Sequence, residues 1–113
     1  MKEIFWIGSS KDEISNQPPH VKASFGYRLR QLQSGQTPLD MKRLPQFGRG
    51  VCELREAFDG NAYRLVYVLN LKEAIYVLDV FMKKSKSGIG LAKPDVERIK
   101  QRLQRALALS KEE

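Results

Sequence analysis

The dipeptide Asp59-Gly60 stands between two stretches that read as strands, Val51 to Phe58 and Asn61 to Leu69. Both residue types tolerate the positive φ that a two-residue hairpin turn demands, so the stretches are predicted to fold back on each other. Phe58 then pairs with Asn61, and Arg55 falls directly opposite Arg64. Like charges at opposed positions weaken a sheet. Such a pair implies either a carboxylate close by or an anionic ligand.

A third strand, Ala74 to Lys83, follows a tight turn near Leu71-Lys72. Pairing Asn70 with Glu73 sets Asp79 opposite Arg64, with Lys83 on the same face and Phe81 between them. Arg55, Arg64, Asp79 and Lys83 would form one cluster, with Glu53 at its edge. Upstream, Glu3 to Ile7 reads as a strand ending at Gly8. Ser10-Lys11-Asp12-Glu13 fits a capping box opening a short helix, which Pro18-Pro19 ends. A second helix spans Pro19 to Ser34, with Val21, Phe25, Leu29 and Leu32 as its apolar stripe and Gly35 as its stop. Residues 36–50 read as a connection carrying Lys42, Arg43 and Arg49.

After Lys83 comes a basic loop, Lys84 to Gly90, expected to be flexible. Pro94, with Asp95 and Glu97 in the first turn, opens a last helix. Its apolar stripe is Val96, Ile99, Leu103 and Leu107, and Arg98, Lys100, Arg102 and Arg105 make its other faces basic. The order is β-α-α-β-β-β-α, a small α+β domain with a mainly antiparallel sheet packed by helices. At 113 residues the chain supports one core, so residues 1–113 are taken as a single domain.

Twenty Lys and Arg against thirteen Asp and Glu give a net charge of +7. That excess favours polyanionic partners: nucleic acid, an acidic protein or an anionic surface. The lone cysteine, Cys52, excludes an internal disulfide and a thiolate metal cage, and its place in the strand pattern reads as a buried structural thiol. Residues 1–8 do not read as a signal peptide, and no stretch has the length of a membrane span. The expected location is the cytoplasm. His20 lies in the first turn of a helix without carboxylates spaced for metal binding, so it reads as a surface or capping residue. Gly88-Ile89-Gly90 lacks the strand and helix a dinucleotide fingerprint needs, and no Ser-His-Asp or Cys-His set assembles. Neither a metal nor a cofactor is expected.

Clustered arginines grip phosphate bidentately, and a lysine adds a mobile point charge. In RNA the attacking 2′-hydroxyl belongs to the substrate. A protein that cuts there needs to orient it, stabilise charge on the phosphate and move protons. A lysine among cations has its pKa lowered, which suits it to a base role. A purely structural network, Arg64 with Asp79 and Arg55 with Glu53 or Glu56, fits the same spacing equally well.

Three motifs, taken in order, resemble the RelE/ParE toxin superfamily and within it the phage-derived HigB-like toxins. They are Glu53-Leu54-Arg55, Tyr63-Arg64-Leu65-Val66-Tyr67 and Leu78-Asp79-Val80-Phe81-Met82-Lys83-Lys84-Ser85-Lys86. The resemblance implies the toxin of a type II toxin–antitoxin system, similar to ribosome-dependent, metal-independent mRNA endonucleases. It implies partners as well: ribosome and mRNA, a cognate antitoxin, expected to be a helix-turn-helix protein encoded next door, and operator DNA reached only through that antitoxin. No membrane partner is implied. By position, Arg55 and Arg64 match the family's phosphate-contacting residues, and Lys83 and Lys84 match its terminal basic pair. Lys42, Arg43, Lys86, Arg98 and Arg102 would supply RNA-binding flanks. Several ribonucleases of the superfamily carry a late tyrosine or histidine that helps proton transfer or stacks on a base, whereas this chain has neither after Lys84. Strand alternation also points Tyr76 away from the Arg55 face. Two alternatives follow: a ParE-like DNA gyrase inhibitor, or a prophage-derived binding protein without catalysis.

Overall fold

Asp59 and Gly60 adopt φ of 50° and 77°, and their turn sets the register of the central hairpin in the computed structural model. The structure describes residues 1–71, 73–83 and 91–112. Strands β3 (Val51–Phe58) and β4 (Asn61–Leu71) pair antiparallel, with Phe58 on Asn61 and Arg55 on Arg64, as the turn chemistry requires. Strand β5 (Ala74–Lys83) lies antiparallel to β4 on its other side. Strand β1 (Ile4–Trp6) adds parallel to β5, and the two-residue β2 (Lys42–Arg43) adds antiparallel to β3. The sheet order is β1-β5-β4-β3-β2.

Helix α2 (Pro19–Gln33) covers one sheet face and α3 (Lys93–Glu112) the other, while the short α1 (Ser10–Ser15) packs beside β5. The fold is α+β, a five-stranded mixed sheet with three helices among the described residues. Val21, Phe25, Leu29 and Leu32 of α2 bury against Leu54, Leu65, Tyr67 and Val77, as their spacing predicts. From α3, Ile99, Leu103 and Ala106 bury against Val66, Val68, Tyr76 and Leu78. The stripe therefore runs through Ala106 in place of Val96, which stays part-exposed. Cys52 is buried as expected, and burial pushes its thiol up. No helix among the described residues is long and apolar enough to cross a membrane.

Four details depart from the sequence reading. First, Leu71 pairs with Ala74, so the expected pairing of Asn70 with Glu73 does not form, and Glu73 takes φ 58° in the turn. From Ala62 to Val66 each partner also lies two positions from the expected register, so Arg64 faces Phe81 and Asp79 faces Val66. Second, the register slips between Val66 and Tyr67, leaving Leu78 as the extra residue of a bulge. Between this slip and a second irregularity at Val68–Leu71 the alternation is reversed, which turns Tyr76 onto the same face as Arg55 and Arg64, contrary to expectation. Third, the connection at 36–50 contains β2 and a 3-10 turn at Pro45–Phe47. Fourth, the capping box does not form. Ser9 is the N-cap, and the buried Ser10 hydroxyl donates to the Val77 carbonyl at 3.1 Å.

Candidate functional site

Pairing places Lys42 beside Glu53 and Arg55 beside Arg64, with Lys83 opposite Ala62. Because side chains alternate along each strand, all five charged residues stand on one sheet face. Glu53 is 1% exposed, and it resolves the conflict between the opposed arginines. Its Oε1 accepts hydrogen bonds from Arg55 Nε at 2.9 Å and Arg64 Nη1 at 2.7 Å. The carboxylate is thus a buried clamp that aims two planar guanidiniums. Arg64 is buried with it, while Arg55 stays exposed. The clamp is incompletely satisfied: Glu53 Oε2 and Arg64 Nε are buried without a hydrogen-bond partner.

Lys83 sits among these charges. Burial, then the Arg64 and Arg55 guanidiniums, hold its ammonium below the ordinary lysine value, and Glu53 pulls the other way. The backbone under Arg55 is fixed from the opposite face, where the buried Arg28 of α2 donates from Nη1 to the Arg55 carbonyl at 2.7 Å. Arg28 also binds Glu56 at 2.9 Å, and Glu56 accepts from Ser24 at 2.6 Å and meets His20 Nε2 at 2.9 Å. Glu56 therefore serves α2 docking, and His20 is an exposed surface residue stacked on Phe58.

Asp79 lies elsewhere. The expected Arg64–Asp79 pair does not form, because the shifted register and the bulge carry Asp79 toward α3. There it accepts from Arg98 Nε at 2.8 Å and Arg102 Nη1 at 3.1 Å. Arg98 also binds Asp95 at 2.7 Å, and Arg102 binds both Glu13 oxygens, at 2.9 and 2.8 Å, and the Leu78 carbonyl at 2.8 Å. Burial alone would raise Glu13, but hydrogen bonds from Arg102, the Val80 amide and Ser9 outweigh it and hold the carboxyl at about 2. Burial pushes Asp79 up to about 6.

Of the residues singled out from sequence, Arg55, Arg64, Lys83 and Lys42 come together. Arg43 pairs with Cys52 and points to the opposite face. Arg98 and Arg102 are held by carboxylates at the α1–β5–α3 junction on the same sheet face, where Arg98 lies 5.6 Å over the ring of Phe81, the strand partner of Arg64. Lys84 and Lys86, with the rest of the basic loop, lie outside the described residues. Among the described residues no group of three or more His, Cys, Asp or Glu is placed to hold a metal ion.

The match to known families covers this architecture from α1 into α3. Residues 12–104 match the model of the phage-derived Gp49-like proteins. The chain belongs to that family. The Gp49-like family is grouped with the RelE/ParE-like toxin families, and the five-stranded sheet with its helices is compatible with a RelE-like fold. No curated protein matches the chain. Arg55 gives Glu53 only its Nε, and among the described residues its terminal nitrogens make no hydrogen bond, a geometry chemically suited to a bidentate anion.

Proposed function

We propose that this Gp49-like protein is the toxin of a type II toxin–antitoxin system and acts as a HigB-like, ribosome-dependent mRNA endonuclease. The observation that carries this reading is the face on which a buried carboxylate aims two opposed arginines beside a lysine of lowered pKa. Arg55 and Arg64 hold the scissile phosphate and stabilise the charge it gains as the neighbouring 2′-hydroxyl attacks phosphorus. A 2′,3′-cyclic phosphate forms as the bond to the 5′-oxygen breaks. The 2′-hydroxyl proton passes to Lys83 in its neutral form, and the departing oxygen takes a proton from water.

In this reading the ribosome presents the mRNA, and no metal or cofactor takes part. Lys42 flanks the site, Arg43 meets RNA from the opposite face, and Lys84 and Lys86 are assigned to RNA by sequence position alone. Arg98 and Arg102 add to the positive field without gripping phosphate themselves. The protein works in the cytoplasm. It is silenced by a cognate antitoxin, a helix-turn-helix protein encoded next door, whose acidic segment covers the basic face and which alone carries the complex to operator DNA.

One observation favours another reading: no tyrosine or histidine follows Lys84 to assist proton transfer. A ParE-like gyrase inhibitor, or a toxin-like protein that binds without cutting, needs none. Primer extension on an mRNA translated in a purified bacterial system separates these. The nuclease reading expects new 5′ ends inside the coding region that require ribosomes and vanish with Arg55→Ala. Intact mRNA with translation unaffected overturns it in favour of the non-cutting readings.

A further inference from the structure

Where β2 joins β3, at the end of the sheet away from the Asp59-Gly60 turn, a cleft of about 470 Å³ opens. Arg43 and Arg49 stand on its rim, Met41, Cys52 and Leu69 form an apolar floor, and no Asp or Glu lines it. Neither guanidinium has an ion pair or hydrogen bond among the described residues. This differs from Arg28, Arg64, Arg98 and Arg102, each of which is matched to a carboxylate.

The wall is built. A Cβ at Gly50 would come within 2.6 Å of the Leu69 carbonyl oxygen, so only glycine lets the loop lie so close to β4. The Leu69 amide donates to the Gly50 carbonyl at 3.0 Å and fixes the approach. Arg49 is thereby tethered beside a floor that does not depend on it.

We propose that this cleft is a nucleotide subsite, taking one unstacked nucleotide of single-stranded RNA with its phosphate on Arg43 and Arg49 and its base on the apolar floor. Its volume falls in the range of small-molecule sites, and apolar lining with a few convergent charges is their usual chemistry. Planar guanidiniums grip phosphate bidentately, and a base outside the helix stack gains from apolar contact. The two-residue edge strand connects the cleft to the cluster, because Lys42 pairs with Glu53 on the Arg55 face and Arg43 with Cys52 on the cleft side. Cys52 and Arg55 lie three residues apart on one strand, about 10 Å. An RNA strand crossing the sheet's edge at β2 reaches both places.

The subsite rests on the RNA-cutting reading for its biological ligand, but its test does not. In NMR titrations of the full chain carrying Arg55→Ala, which removes the exposed grip at the other site, 5′-UMP, 5′-AMP and inorganic phosphate are added separately. The nucleotides should shift the Arg49, Gly50, Cys52 and Leu69 amides saturably and bind about tenfold or more tighter than phosphate. Adding Arg49→Glu should weaken them by about tenfold or more while the remaining spectrum stays in place. Shifts without saturation, equal binding of phosphate, or indifference to Arg49→Glu overturns the proposal. Ribosome-dependent cuts with a silent cleft remove this inference alone. A cleft that binds nucleotides in a protein that makes no cuts removes the nuclease reading and leaves the subsite standing.

Discussion

Arg55 and Arg64 look alike in the sequence and do different physical work. Arg64 is buried against a buried carboxylate, so Arg64→Ala leaves Glu53 charged and half-matched in the interior, at a cost of about 3–5 kcal/mol. The Arg55 side chain is 47% exposed, and Glu53 keeps Arg64 when it is removed, so Arg55→Ala should cost less than about 1 kcal/mol. Urea unfolding of the two variants checks this, and equal midpoints would show that Glu53 is not the clamp. Arg55→Ala is therefore the variant to use in activity assays, since loss of function in Arg64→Ala is confounded by loss of fold. The opposed arginines were legible because Asp59-Gly60 leaves one register open to the hairpin. That Glu53 would be their shared partner was only half legible: alternation placed it on the right face, but Asp79 and Glu56 competed on paper, and only packing against α3 and α2 drew those two away.

At the scale of elements, α3 is held to the sheet by more than Ile99 and Leu103. Glu13 of α1, Asp79 of β5 and the two arginines of α3 tie three elements together, and the ties respond to pH in opposite senses. Glu13 is held at about 2 against an ordinary 4.5, so its contribution is complete above about pH 4.5 and is lost as the pH falls toward 2. Asp79 is raised from 3.8 to about 6, so folding takes up a proton there, and its share of stability declines as the pH rises through that interval. Urea midpoints measured across pH should show a flatter acid limb below about pH 4.5 in Glu13→Gln, and a flatter slope between about pH 4 and 6 in Asp79→Asn. An acid limb unchanged by Glu13→Gln would count against the assigned tie. The helices themselves were readable from period and punctuation. The Leu78 bulge was not, because no residue type announces it; it arises where Tyr76 and Leu78 both gain burial against α3.

The whole molecule carries +7, and once the ion pairs are set aside its uncompensated cations include Lys42, Arg43 and Arg49 near one end of the sheet. Association with single-stranded RNA should weaken with salt, with a log–log slope of about −0.7 for each phosphate engaged. Arg43→Glu should reduce that slope by about one contact, measured by fluorescence anisotropy on a short unstructured RNA. A slope unmoved by the substitution would exclude Arg43 from the RNA path. The +7 charge and the family resemblance are both legible in the sequence and point to a polyanion. The cleft did not show itself, because its floor gathers Met41, Cys52 and Leu69 from three separate stretches of chain.

The sheet ends in β1 with three residues on one side and β2 with two on the other, while its long strands are all interior. Rims this short offer little backbone to a passing strand, and β2 is lined with two cations. Beyond Glu53, however, β2 does not cover the outer edge of β3, so a strand added there would meet Leu54–Phe58. Strand addition is thereby confined to a stretch that carries the charges of Arg55 and Glu56, which disfavour an incoming copy of the same strand.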